Sequence, residues 1–208
     1  MKKKSLLIFI SILLIFCLTS CSKQETENPG ETVVNFLNAL QQQNYASAKA
    51  YYSENLDNLP NFRNKIEAIS PAVANELFNK LADFSYTIKK VEIDPNDKNK
   101  ASVTVSLQCY DLGSAFQNII LDYLKTDLEM TFDGAKDEEI IQKAEETILA
   151  DISKSEKNFR QAIIIALTKE DDVWKLDKIS ENRELLNALS GNIINTIEEI
   201  NNDINTIK

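Results

Sequence analysis

Between Ala101 and Tyr110 the chain reads ASVTVSLQCY, with Ala101, Val103, Val105, Leu107 and Cys109 on one parity and Ser102, Thr104, Ser106 and Gln108 on the other. A strict period of two predicts a strand with one buried face and one wet face. Such a strand needs partners, and two flanking stretches supply them. In FSYTIKKVEI, Phe84, Tyr86 and Ile88 share a parity that Val91 and Ile93 break, so a β-bulge or bend is expected at Lys89-Lys90. DPNDKNK then joins the two strands as a turn. A second hairpin reads FRQAIIIALTKE, a turn at Glu170-Asp171-Asp172, and VWKLDKI. The consecutive Ile163, Ile164 and Ile165 predict a central strand covered on both faces.

Everything between and around these hairpins has the helical period. Val33, Phe36, Leu37 and Leu40 recur at three and four residues, Asn44 can cap YASAKAYY, and FRNKIEAI runs to Ser70-Pro71. Serine as cap and proline in the first turn then start AVANELFNKLADF. A helical pair spans 112–156: SAFQNIILDYLKTDL carries Phe116, Ile119, Ile120, Tyr123, Leu124 and Leu128, and DEEIIQKAEETILADI carries Ile140, Ile141, Ala144, Ile148 and Ile152. A last helix is expected over 181–208, with Leu186, Leu189, Ile193, Ile197, Ile200, Ile204 and Ile207 close to a heptad seam. That seam packs along the sheet or the inserted pair, or receives a partner helix, and Gly191 is a point where it can break. The predicted class is α+β: N-terminal helices, an antiparallel sheet of about four strands in two hairpins, an inserted helical pair and a long C-terminal helix, in one domain over 31–208.

The front of the chain has a different logic. Met1 is followed by Lys2, Lys3 and Lys4, then by thirteen largely apolar residues from Leu6 to Leu18. As a helix these cover roughly 20 Å, short of the ~30 Å hydrocarbon core, which predicts a secretory leader over 1–20 rather than a permanent span. The exit, Leu18-Thr19-Ser20-Cys21, resembles the lipobox of bacterial lipoproteins. The resemblance implies diacylglyceryl transfer to the Cys21 thiol and cleavage between Ser20 and Cys21. Two acyl chains hold a protein on a membrane where one is marginal. Ser22 to Gly30, SKQETENPG, is polar with a Pro-Gly stop, so 21–30 reads as a lipidated tether. The expected location is the extracytoplasmic face of the cell membrane, with membrane lipid as the partner of Cys21.

Composition excludes more than it proposes. Residues 1–20 hold three lysines and no acid, so cleavage takes the net charge from −9 to −12. A polyanion is a poor partner for nucleic acid and is repelled by anionic headgroups. With Cys17 removed and Cys21 acylated, only Cys109 remains, on a core-facing row, and no intramolecular disulfide can form. The chain has no histidine. That removes Ser-His-Asp and Cys-His nucleophile systems and makes a zinc site unexpected. No cofactor is implied.

Two carboxylate groups invite a metal reading. Asp94, Asn96 and Asp97 lack the glycine of a calcium loop and are interrupted by lysines; Asp133, Asp137, Glu138 and Glu139 fit a loop followed by an acidic helix start. Hairpin turn and helix start are the preferred readings. The aromatics Tyr45, Tyr51, Tyr52, Tyr86, Tyr110, Tyr123 and Trp174 suit a core margin, with a pocket as the alternative.

The opening ETVVNFLNALQQQNYASAKAYY and the close EDDVWKLD resemble bacterial lipoproteins with a nuclear-transport-factor-like, or cystatin-like, domain. The mature chain as a whole is similar to uncharacterised lipoproteins of low-GC Gram-positive bacteria. The resemblance implies a curved sheet around a long helix, with a conical cavity between them. Three functions follow as expectations. One is a non-enzymatic binding or interaction module for a small ligand or envelope protein. Another is a small enzyme with an Asp or Glu acid–base in an apolar cavity. The third is assembly through Ile193, Ile197, Ile200, Ile204 and Ile207.

Overall fold

The computed structural model describes residues 28–53, 58–178 and 181–206. Ser20, Cys21, the tether up to residue 27 and Ile207 lie outside them, as does the side chain of Ile204.

Helix α1 (Pro29–Gln41) begins with a capping box: Asn28 Oδ1 accepts from Glu31 N at 3.0 Å and Glu31 Oε2 accepts from Asn28 N at 3.3 Å. The Pro-Gly pair expected to close the tether is therefore the first helical turn. Proline at this position loses no hydrogen bond, and Gly30 lets the helix lie against β1, since a Cβ there would sit 3.0 Å from Val91 Cγ2. Asn44 caps α2 (Tyr45–Ala50) through Ser47 N. Helix α3 (Asn58–Ile69) ends at Ser70, whose Oγ caps α4 (Pro71–Ala82) through Val73 N.

The sheet runs β1 (Ser85–Ile93), β2 (Lys100–Cys109), β3 (Phe159–Glu170) and β4 (Val173–Leu176), antiparallel throughout and in sequence order. The bulge falls at Lys89, between the pairs Ile88–Val105 and Lys90–Thr104. It sets Val91 opposite Val103 and Ile93 opposite Ala101, which restores both to the core parity. At the other end Asp171 and Asp172 both adopt positive φ, the backbone of a tight hairpin turn. Residues 51–53 cover the outer edge of β4: Leu176 N donates to Tyr51 O and Ser53 N to Leu176 O.

The core lies on one face of the sheet. Val103, Val105, Leu107, Ile163, Ile165, Leu167 and Leu176 are almost completely buried beneath Val33 and Leu37 of α1 and beneath Leu185 and Ala188 of α7 (Arg183–Leu189). Each such side chain contributes about 1.5–3 kcal/mol by leaving water. The opposite face carries Thr104 and Ser106, and Ile164 is 61% exposed there. The triple isoleucine therefore does not mark a strand covered on both sides. Helices pack on one face only, and Ile164 is the residue left outside.

Cys109 closes the core row of β2, and burial pushes its thiol up to about 11, against a smaller lowering by Lys157. Its share of stability is intact below the ordinary thiol range and is lost as pH climbs towards the raised value. In chain lacking residues 1–21, where Cys109 is the sole cysteine, a maleimide at mildly alkaline pH is expected to leave the folded protein unmodified and to label it in urea. Rapid labelling without denaturant would contradict a sealed core.

Helices α5 (Leu112–Phe132) and α6 (Asp137–Lys154) form the inserted pair. Their near ends pack on the body, whereas Leu121, Leu124, Leu128, Phe132 and Ile141 stay exposed towards the far end. The C-terminal segment is two helices, α7 and α8 (Ile193–Thr206), and not the single long helix expected over 181–208. Gly191 and Asn192 interrupt it with φ of 62° and 73°. The chain turns because Gly191 is pressed against the end of β2: its carbonyl accepts from Gly113 N at 2.8 Å, and α8 then runs along α5.

Candidate functional site

The helices outside the sheet bring their apolar stripes together around a second, smaller core of Val73, Leu112 and Ile152. They do not fill the space between them. A cavity of about 580 Å³ remains, within the size range of small-molecule sites. Leu40 and Phe84 form the end nearest the sheet, and Tyr45 adds one edge. Phe62 and Ile66 of α3, Leu77, Phe78 and Leu81 of α4, Phe116 and Ile119 of α5, and Ile148 of α6 make the sides. Leu186, Leu189, Ile193, Ile194 and Ile197 close the remaining wall. Short side chains at Ala82, Ala115 and Ser190 are where the space is left.

This is not the cavity implied by the resemblance. The interface between the sheet and α1 is solidly packed, and the open volume lies among the helices beside it. Among the described residues its wall has no carboxylate and no basic side chain; Tyr45 and Ser190 are its polar side chains. Of the lining side chains, Phe62 and Ile197 are the most exposed, at 50% and 37%, and they mark where the cavity meets solvent.

Arg63 follows Phe62 on α3 and packs against a wall residue. Its guanidinium lies over the ring of Phe78, 5.3 Å from the centroid, and Phe78 in turn packs 6.0 Å from Phe62. Its hydrogen bonds go to neutral oxygens: Nη1 donates to Gln43 Oε1 and Nη2 to Asn75 Oδ1. Burial raises the Tyr45 phenol above its ordinary value, and the nearby positive charge of Arg63 works against that. Behind α4, Lys80 donates to the carbonyls of Ser153 and Ser155 at the end of α6 and lies 4.0 Å from the Tyr110 ring centroid. Lys157 bonds Asp83 at 2.6 Å and holds that carboxyl below its usual range. These contacts fix the outer side of the wall and leave its inner side apolar.

Three of the carboxylates weighed as metal ligands bond backbone. Asp94 and Asp97 accept from Asn96 N and Asn99 N inside the β1–β2 turn, and Glu139 accepts from Lys136 N at the start of α6. Of the seven aromatics singled out in the sequence, only Tyr45 reaches the cavity; Tyr52 and Trp174 are buried in the main core. Ile193 and Ile197, on the seam expected to pack along the sheet or the inserted pair or else to receive a partner helix, line the cavity wall. Sequence reasoning missed Phe62, Arg63 and Phe78 as a group. The one available signal was a basic residue directly after an aromatic on an apolar stripe, which is common on amphipathic helices.

The sequence matches no family model and no curated protein. Among solved structures it is similar to a Bacillus subtilis subsp. subtilis str. 168 protein, ycdA, described as a "putative lipoprotein". The identity is 20%, the TM-score is 0.39, and the match covers 78% of this chain and 47% of that one. This chain thus spans about half the length of that protein. No described helix is long and apolar enough to cross a membrane.

Proposed function

We propose that this chain is an extracytoplasmic lipoprotein, held on the cell membrane by diacylglyceryl-modified Cys21 after cleavage behind Ser20. Its domain is a non-enzymatic binding module, and its site is the cavity among the helices. The sheet with α1 on one face is of the nuclear-transport-factor-like, cystatin-like kind in this reading, supported by four antiparallel strands in sequence order.

The cavity wall carries the proposal. Each ordered water needs two to four polar partners, and Tyr45 and Ser190 cannot serve a volume of about 580 Å³. At the ~30 Å³ a water occupies in the liquid, that volume suits an apolar molecule of on the order of twenty non-hydrogen atoms. Such an occupant is favoured by about 25 cal/mol for each Å² of wall and ligand surface removed from water. Among the described residues the same wall gives an Asp or Glu acid–base enzyme no carboxylate to use. A protein partner or second copy on the isoleucine row of α8 would lie beside the mouth, because Ile197 borders it.

The reading is tested on protein purified from its host membrane. Its intact mass is expected to correspond to a chain beginning at acylated Cys21, and organic extraction is expected to release an apolar molecule in near-stoichiometric amount. A retained leader or bare thiol would remove the anchor. An extract without such a molecule, together with failure to bind any apolar dye, would remove the binding module.

A further inference from the structure

Resting on the cavity reading, we propose that the occupant is an anionic amphiphile with a single acyl chain, whose chain fills the apolar cavity and whose carboxylate or phosphate is met by Arg63 at the mouth. Three observations carry this. The wall is apolar to its ends, so a polar headgroup has to sit at the opening, where Phe62 and Ile197 are exposed. Arg63 directly follows Phe62 and is stacked on Phe78, and among the described residues no carboxylate pairs with it. Its amide partners, Gln43 and Asn75, are neutral and fix the guanidinium, and Gln43 is itself tied to Asn79.

The surroundings sharpen the point. The chain carries an excess of acid, so a guanidinium with no acidic partner among the described residues is a local exception to the field of the whole protein. On the other side of the opening Glu198 follows Ile197, and its charge is taken up by Arg183. A carboxylate or phosphate accepts from guanidinium in paired, charge-assisted hydrogen bonds that are about twice as strong as neutral ones. Those bonds would replace the ones to Gln43 and Asn75.

Every described element lies within residues 28–206, all of which are retained in chain lacking residues 1–21, whose folding is checked by circular dichroism. In that chain a neutral apolar dye, Nile red, reports the cavity, and competitors displace it at concentrations below micelle formation. A long-chain fatty acid and a single-chain phosphatidic acid are each compared with a methyl ester of the same acyl chain. At least one anionic competitor is expected to displace the dye at about tenfold lower concentration than its ester, equivalent to ~1.4 kcal/mol. Which of the two does so tells free fatty acid from membrane-derived phospholipid.

Arg63→Gln is expected to abolish the difference while leaving dye affinity unchanged. Asn75→Asp, which gives the guanidinium an acidic partner, should shrink it. Added salt should shrink it as well. Equal displacement by acid and ester in the unmodified chain, or a preference that survives Arg63→Gln in folded protein, overturns the role of Arg63 and leaves the cavity reading standing. Absence of dye binding, or dye binding that Ala115→Trp does not reduce, overturns both.

Discussion

Gly191→Ala is expected to lower stability by about 3 kcal/mol. Two costs add. The residue sits at φ 62°, where a non-glycine side chain costs roughly 1–2 kcal/mol. A Cβ at this position would also lie 2.1 Å from Tyr110 O, a contact with backbone that no rotamer change relieves. Displacing the turn costs about 1–3 kcal/mol more, as in an overpacked core. The turn also starts α8, whose Ile193, Ile194 and Ile197 line the cavity, so Nile red affinity should fall with stability. Gly134→Ala separates the two costs. It has φ 75° with nothing within 4 Å of its would-be Cβ, and it should cost only about 1–2 kcal/mol. Urea unfolding measures both: a midpoint no lower for Gly191→Ala than for Gly134→Ala would show that the approach to Tyr110 is not tight.

Asn182→Leu is expected to cost a similar amount, about 2–3 kcal/mol, by a different route. Asn182 is 2% exposed and lies just before α7. Its Oδ1 accepts from Ala166 N at 2.9 Å, and its Nδ2 donates to Ala166 O at 3.2 Å and to Asp177 O at 2.9 Å. The pairing of β3 with β4 stops at Leu167–Leu176, one residue short of Ala166. Asp177 N still donates to Ala166 O at 3.0 Å, and the side-chain amide supplies the acceptor for Ala166 N and a donor for Asp177 O. Leucine keeps the number and branching of side-chain heavy atoms, adds bulk, and removes every one of the side-chain bonds. Ala166 O keeps a partner in Asp177 N, but the part-buried Ala166 amide loses its acceptor, a costly outcome for a hydrogen-bond donor. Chemical denaturation gives the size of the loss, and hydrogen exchange gives its place: the Ala166 amide should exchange far faster in the variant. Protection equal to the unmodified protein would show that another group satisfies it.

Much of the fold was legible in the sequence because it rests on local rules. The alternation from Ala101 to Cys109 needs no knowledge of the rest of the chain, and the row is buried throughout. The phase slip at Lys89-Lys90, the caps Asn44 and Ser70, and the turn at Asp171-Asp172 are similarly local. Two local readings failed for one reason. Ile164 was placed under a second layer and the C-terminal residues in one helix, and each depended on what lies opposite in space. The period of Ile163 to Ile165 cannot report whether helices cover one face or two. The heptad-like row cannot report that Gly191 meets the carbonyl of Tyr110.

The candidate site was hardly legible at all. Its wall is drawn from side chains between Leu40 and Ile197, nearly all of which read as ordinary core of their own helices. A cavity is a property of how far apart packed helices stand, and hydrophobic periodicity fixes which face is buried but not the distance to the next face. By itself the sequence determined the leader pattern, the order of helices and strands and the buried parity of each, because those follow from neighbours along the chain. Only the tertiary structure decided that apolar stripes of six helices, α3 to α8, leave a room between them and that Arg63 stacks on Phe78 in its wall. Those facts depend on contacts between residues far apart in sequence.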